Sequence, residues 1–498
     1  MDVKEIFRQA NLIPRKGQAE AAESIKKALE TGIDTLFVAP TGWGKTLAVL
    51  AALKAAGRLP ALWLVRSLKL GDRISKDALL IGLRPFVAAG RKKTCPLAYR
   101  YGDAIHVWCR LFRVNCEFYV ELLKRGVDAS GVLSWEELLD KGICPYYGQD
   151  FVAREADVII QNYHRRSYPV SACIVDETHN LLAPRVRRLK IDTLINAATE
   201  ISAVGYHELG EEVRRYASRT GYIPLEKLPL AELERSLVDA VQVLKKVKAL
   251  PKLVSAVRAA QRGAAYREPW SDVVEIYEAP WRPRVKPTVF ITATLPREME
   301  PLLGVEGVVR VEPEPRTAFV TSWLTSKWGQ ETWWEYQKFL FKLKMRFKKV
   351  LVFATERIAL RVLEKVDYYE PEFESGIPED WRGVLLLHSR GRFAEGVDIR
   401  CDCVVVLGCP FLPPEVAARL KRFYRKMGIP GNAALWSPMV ITTLQCVGRA
   451  TRSPEDRPII ILADNRFLKY EEFFHPYITL QEVKDENDLF RQTLPSPA

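Results

Sequence analysis

Three short segments of this sequence gather residue types that handle phosphates. Residues 39–46 read APTGWGKT and lie between the apolar run TLFVA (35–39) and the helical pattern LAVLAALKAA. Glycines let backbone N–H groups approach a phosphate, and the following helix N-terminus adds positive potential. Thr41, Gly42 and Gly44 would form the cradle, Lys45 would reach the β- and γ-phosphates, and the Thr46 hydroxyl would ligate Mg²⁺. The second segment is Asp176-Glu177-Thr178-His179, closing the apolar run ACIVD (172–176). Acids at a strand's carboxyl end sit where open α/β sheets bind ligands. There Asp176 can hold the Mg²⁺ shell, and Glu177 can orient and deprotonate an attacking water. The third is QCVGRATR (445–452), whose Arg449 and Arg452, three apart on one helix face, fit a γ-phosphate and its developing charge. Taken singly, each has a bland reading: a chance turn, a solvated acid pair, a solvated basic face.

These residues need strands and helices to hold them, and the chain supplies two blocks of short apolar runs alternating with helical patterns. The first block has TLFVA (35–39), ALWLV (61–65), DVIIQ (157–161), ACIVD (172–176) and TVFITA (288–293). The second has VLVFAT (350–355), GVLLLH (383–388), CVVVLG (403–408) and PIIILAD (458–464). Continuous Val/Ile/Leu runs suit strands covered on both faces, so two parallel α/β sheets are expected. Two stretches interrupt the first block. Residues 85–150 carry four cysteines and many aromatics without strand alternation, and residues 195–280 read as helical throughout. Both look like insertions. The turn-rich VEPEPRTAF (311–319) is the expected crossing to the second block.

At 498 residues the chain is too long for one ordinary domain of about 100–200 residues. Its 48% apolar and 27% charged content is that of a globular protein. No apolar run reaches the roughly 18–20 residues of a membrane span, and the first dozen residues lack the apolar core of a signal peptide. Lys and Arg number 74 against 61 acids, a net charge of +13, which suits a polyanionic partner. Nine cysteines without a secretion signal argue against a disulfide framework. Cys173, Cys403 and Cys409 sit in or beside apolar runs and read as core, as do Cys401 and Cys446. Cys95, Cys109, Cys116 and Cys144 lie in a polar segment and read as metal ligands. Four thiolates suit either an iron–sulfur cluster or structural zinc, and spacing leaves the two open. Beside them, residues 91–113 hold Arg91, Lys92, Lys93, Arg100, Arg110 and Arg113 against one acid, Asp103. Tyr99, Tyr101, Trp108 and Phe112 interleave with these cations. Cations with aromatic faces grip single strands, each stacked base contributing roughly 1–3 kcal/mol, although the rings could equally pack as core.

The ordered set APTGWGKT, DETH, TATL (292–295), RGRFAEGVD (390–398) and QCVGRATR resembles a superfamily 2 helicase. RGRFAEGVD followed by VVVLGCPFLPPE and the arginine motif is similar to the XPD/DinG branch. VRSL (65–68), which contains Arg66, resembles that branch's strand-contacting motif, and NYH (162–164) its usual Asn-Tyr. Arg15 and Gln18 stand where such helicases read adenine. Three departures stand out. Ala39 replaces the first loop glycine, Trp43 is bulky for its place, and Thr178 stands where the branch has Ala.

The resemblance implies two RecA-like parallel-sheet motor domains, with an iron–sulfur insertion and a helical arch insertion in the first. Its divisions would be 1–84, 151–194 and 281–310 for the first motor, 85–150 for the cluster domain, 195–280 for the arch and 311–498 for the second motor. It implies ATP and Mg²⁺ as cofactors, Gln445, Arg449 and Arg452 closing the site, and Glu395, Gly396 and Asp398 linking nucleotide to strand. Thr292 and Thr294 would couple hydrolysis to strand contact. It turns the four cysteines toward a [4Fe–4S] cluster, although six residues separate Cys109 from Cys116 where relatives are tighter. It further implies a monomeric, intracellular, nucleoid-associated 5′→3′ helicase acting on single-stranded and forked DNA with other repair proteins. An RNA-directed helicase, a translocase without unwinding and a non-catalytic DNA-binding scaffold are the rival readings.

Overall fold

The structure is a computed structural model. It describes the chain except residues 1, 41, 129–133, 164–167, 245, 280–282, 284, 313, 371–376, 378–379, 392–398, 451–456 and 494–498, and except the side chain of Lys69. The chain divides into two compact units. One comprises Met1–Val38, Trp43–Thr292 and Val305–Arg310, the other Ala39–Gly42, Ala293–Gly304 and Val311–Ala498.

The first unit is built on a seven-stranded sheet in the order Gly307–Arg310, Thr35–Val38, Thr288–Thr292, Ala172–Val175, Ala61–Val65, Val158–Asn162, Pro85–Ala88. Every neighbouring pair is parallel. The strands Thr35–Val38, Ala61–Val65 and Ala172–Val175 are buried at every residue, as strands covered on both faces must be. Asp34 fixes the register at the sheet's amino edge, accepting the Thr288 N–H at 2.9 Å. The phosphate loop and DETH leave the carboxyl ends of strands on either side of Thr288–Thr292, so the topology brings both segments to one edge of this sheet.

The second unit repeats the plan, with a seven-stranded parallel sheet in the order Tyr368–Tyr369, Gly383–His388, Lys349–Ala354, Cys403–Leu407, Ile459–Ala463, Arg316–Thr321, Ile478–Val483. The helix Trp333–Arg346 packs Tyr336, Phe339, Leu340 and Leu343 against it, among Val350, Val352, Val405 and Ile461.

Two expectations are corrected. Pro85–Ala88, grouped with the cysteine-rich segment, is the edge strand of the first sheet. The stretch 195–280 is not helical throughout. Its helices Ile191–Ser202, His207–Ala217, Leu230–Val243 and Leu250–Ala260 pack on an antiparallel sheet ordered Arg185–Lys190, Val273–Glu278, Gly263–Arg267, Gly221–Ile223. Leu194, Ile201, Leu233, Leu237, Val257 and Ile276 share their core. The strands escape a reading by period because only Val274 and Ile276 alternate inward there, and Ala264 and Ala265 carry little apolar signal. Gly263 is required by its neighbour: a Cβ on it would lie 1.8 Å from the Tyr277 carbonyl oxygen. The strand reaching back to Arg185 also places the start of this body before residue 195.

Candidate functional site

The phosphate loop is held open by glycine. Gly42 and Gly44 have φ of +79° and +97°, in the left-handed region. Gly44 caps the helix Lys45–Ala55, and a Cβ on it would lie 2.4 Å from Gln18 Nε2. Gln18 is the brace: its Nε2 donates to the Gly44 carbonyl at 3.0 Å while its Oε1 accepts the Arg15 N–H at 2.9 Å. The amide assigned to adenine thus also ties the Arg15 turn to the loop. Trp43 finds its place by packing edge-on against Phe37, with centroids 5.7 Å apart. Thr41 lies outside the described residues.

Lys45 and the acids face one another. Desolvation lowers the Lys45 ammonium to about 8, against the pull of Glu177 and Asp176. Desolvation, then Glu177, raises Asp176 to about 7, with Lys45 opposing. Asp176 Oδ1 accepts the Glu177 N–H at 3.0 Å, and Tyr163 donates its hydroxyl to the Asp176 carbonyl. Glu177 is one of two described non-glycine residues with positive φ, at +52°. Such a backbone costs on the order of 1 kcal/mol and persists where function needs it. The turn projects the Glu177 carboxylate outward, 3.5 Å from His179 Nδ1. His179 in turn meets Thr292 Oγ1 at 3.0 Å. Glu177, His179 and Thr292 therefore form a continuous polar path from the acid motif to the TATL strand, a role for His179 that its position in DETH alone did not disclose. Thr178 is absorbed locally, its hydroxyl donating to the Val175 carbonyl at 2.9 Å. Arg66 donates to Asn180 Oδ1 at 2.5 Å, and its carbonyl accepts from Asn162 Nδ2 at 2.6 Å.

In the second unit, Gln445 lies on the helix Ala433–Gly448, which ends at Arg449 as its cap. Glu395, Gly396, Asp398 and Arg452 lie outside the described residues. Thr294 falls in the other unit from Thr292.

Cys95 closes the short helix Arg91–Thr94, and Cys109 lies on Ile105–Phe112. Cys116 and Cys144 cap the N-termini of Glu117–Arg125 and Pro145–Arg154. The four sense one another: burial and then the charges of Cys109 and Cys116 raise Cys95. Burial pushes Cys144 up to about 11, with Cys116 and Cys95 adding to it. Backbone N–H groups of Leu97, and of Tyr146 and Tyr147, donate to the Cys95 and Cys144 sulfurs. Among the described residues, no three His, Cys, Asp or Glu side chains are grouped to hold a metal ion. Four thiols near enough for their charges to act on one another, two of them accepting backbone N–H bonds, are of the ligand type that an iron–sulfur cluster takes. Cys173, Cys403, Cys409 and Cys446 are buried as expected, and Cys401 partly so.

The cations of 91–113 are largely engaged. Arg91 lies 4.2 Å over the Tyr146 ring and donates to the Tyr147 hydroxyl at 3.2 Å, and Arg113 donates to the same hydroxyl at 3.1 Å. Lys92 pairs with Asp103 at 2.6 Å, Lys93 lies 5.9 Å from the Trp135 ring and Arg100 5.5 Å from Tyr101. Tyr101 stacks on Trp108 at 4.6 Å, and Trp108 contacts Phe112 at 5.8 Å, so these rings pack on each other. Arg110 differs. It lines a cavity of about 900 Å³ with His106, Arg187, Arg188, Lys190, Lys252 and Arg258. Glu278, Glu275 and Glu234 pair with Arg187, Arg188 and Arg258. The signal for this second basic wall was the run RVRRLK (185–190), straight after the acid motif.

The helicase C-terminal domain model matches residues 337–478. The ATP-dependent DNA helicase XPD of Sulfolobus acidocaldarius is 23% identical over 545 aligned positions, covering 91% of this chain and 96% of its own. A solved XPD helicase structure superposes with a TM-score of 0.69 at 19% identity, over 94% of this chain and 99% of that one. The chain is XPD-like. The solved Xpd4 of S. tokodaii agrees, with a TM-score of 0.60 at 18% identity over 94% of this chain and all (100%) of that one. The two parallel sheets of this XPD-like chain are therefore RecA-like, and the region carrying Gln445 and Arg449 lies within the matched helicase domain.

The nucleotide-free site carries a pH signature. The native pKa of Asp176, about 7, lies above its ordinary value of 3.8, so the native state binds the extra proton between them. The destabilisation brought by its charge is absent below about pH 4 and complete above about pH 7. Asp176→Asn should therefore raise the melting temperature of the nucleotide-free protein at about pH 8 and raise it much less at about pH 4.5. An equal gain at both pH values, or a loss at the higher one, would contradict the assignment.

Proposed function

We propose that this chain is an ATP-driven helicase that moves 5′→3′ along single-stranded DNA and opens forked duplex in DNA repair. The observation that carries the reading is Lys45 facing Asp176 and Glu177 at the carboxyl edge of a RecA-like sheet. Lys45 binds the β- and γ-phosphates of ATP, and Thr46 and Asp176 would hold Mg²⁺, which would supply charge neutralisation of the triphosphate. Glu177, turned outward on its left-handed backbone, takes the proton of the attacking water. Arg15 and Gln18 read the adenine. Gln445, Arg449 and Arg452 stabilise the charge that develops on the γ-phosphate, and Glu395, Gly396 and Asp398 relay nucleotide state to the strand. Through His179 and Thr292, loss of the γ-phosphate is felt at the strand that leads into TATL.

The stretch that follows Ala88, up to residue 150, serves as the cluster domain and the body that begins at Arg185 as the arch, both inserted in the first motor, with 311–498 as the second motor. Cys95, Cys109, Cys116 and Cys144 would hold a [4Fe–4S] cluster, which would supply a rigid thiolate-bound anchor for this segment. Arg110, Lys190 and Lys252, exposed in the cavity between them, contact strand phosphates. Arg66, Arg91, Lys92, Lys93, Arg100 and Arg113 contribute field around that path, most of them already holding an aromatic ring or an acid. Polarity, the repair role, the monomeric state and a nucleoid-associated location rest on the family likeness.

Glu177→Gln should keep ATP affinity while ATP turnover falls by about 10²–10⁴-fold, as loss of a general base does. Turnover within about twofold of the parent would remove Glu177 from the chemistry. Anaerobically purified protein should be brown, with iron and acid-labile sulfide in cluster stoichiometry. A colourless, zinc-loaded protein with full strand-stimulated ATP turnover would overturn the cluster.

A further inference from the structure

The helix Trp333–Arg346 has two apolar faces, and only one is used by the fold. Tyr336, Phe339, Leu340 and Leu343 are buried beneath it, and the Tyr336 hydroxyl donates to the Ala463 carbonyl at 2.8 Å. On the opposite side, Trp334, Lys338, Phe341 and Met345 follow the i, i+4, i+7, i+11 spacing of a single stripe. Trp334 is 73% exposed, Phe341 55% and Met345 74%. Scattered exposed apolar residues are ordinary. Three large ones aligned over about 16 Å of one helix mark a docking face.

The surroundings select the partner by charge. The helix carries Lys338, Lys342, Lys344 and Arg346 against Glu335 alone, and Lys348 follows at its end. Lys342 and Lys344 pair with Glu486 and Asp367, while Lys338, Arg346 and Lys348 are exposed around the stripe. A second copy of this face would bring like charges together, so a self-paired dimer is disfavoured. A single strand is a poorer fit, because the Trp334 and Phe341 rings stand about 10 Å apart along the helix, against about 3.4 Å between stacked bases.

We propose that this stripe docks an acidic amphipathic helix of a partner protein. Apolar side chains of the partner, at helical spacing, pack on Trp334, Phe341 and Met345, and its flanking carboxylates meet Lys338, Arg346 and Lys348. The surface uses none of the residues assigned to ATP or to the strand.

The test uses the full chain and a fluorescent synthetic peptide of roughly 20 residues, with leucines at i, i+3, i+4 and i+7 and glutamates elsewhere. Controls are the same peptide with lysine for glutamate, one with scrambled leucines, and a single-stranded oligonucleotide. The acidic peptide should bind, with affinity falling with salt, and at least about tenfold more weakly to Trp334→Ala/Phe341→Ala and to Lys338→Glu/Arg346→Glu. Both variants should retain the parent's far-ultraviolet circular dichroism and ATP turnover. No binding of the acidic peptide, or equal binding to parent and variants, overturns the proposal. So does a parent dimer that the alanine variant dissolves, or oligonucleotide affinity lost in that variant.

Discussion

Desolvated charge at one edge of the first sheet sets the terms for the rest of this molecule. Lys45 and Asp176 are buried together beside the exposed carboxylate of Glu177, and burial lowers the ammonium and raises the Asp176 carboxyl. Such a site is costly when empty and is completed by a ligand bringing both phosphate and a divalent cation. Everything nearby serves to hold that tension. Gln18 braces the loop from behind, Gly44 admits it at close quarters, and the left-handed turn at Glu177 aims a carboxylate where the backbone would otherwise not place it. The parallel sheet does the remaining work by delivering each segment to the same edge.

Much of this was legible in the sequence, for a physical reason. Central strands of a parallel sheet are buried on both faces, so Thr35–Val38, Ala61–Val65 and Cys403–Leu407 are unbroken apolar runs. Glycine, lysine and paired acids beside such runs have few other uses. The edges were harder. Gly307–Arg310 and Tyr368–Tyr369 are only partly covered and carry no continuous apolar signal. The antiparallel sheet under the inserted helices was missed because one of its strands is the basic run Arg185–Lys190 and another the alanine-bearing Gly263–Arg267. His179 illustrates a different limit. Its link to Thr292 spans more than a hundred residues of sequence, and only the pairing of strands brings the two together.

The cysteine segment shows how composition can mark a basic region without showing which of its charges are already engaged. Cations and rings between 91 and 113 suggested a strand-gripping surface, yet Arg91, Arg113, Tyr146 and Tyr147 form one cation–π and hydrogen-bonded knot beside Cys144. A guanidinium so engaged has little left for a phosphate. Arg110 faces open space instead, where a second basic wall from Arg187 to Lys190 completes a cavity that neither segment reveals alone. Charge became informative once the fold showed which charges were already paired.

ATP chemistry at Lys45, Asp176 and Glu177 is proposed to drive movement on a single strand. The direct measurement is steady-state ATP turnover and forked-duplex separation by the full chain, with single-stranded DNA, single-stranded RNA or neither present. Turnover stimulated at least about tenfold by DNA, little by RNA, with separation of a fork bearing a 5′ tail, is the predicted result. Turnover indifferent to DNA, or a fork left intact while ATP is consumed, would contradict it.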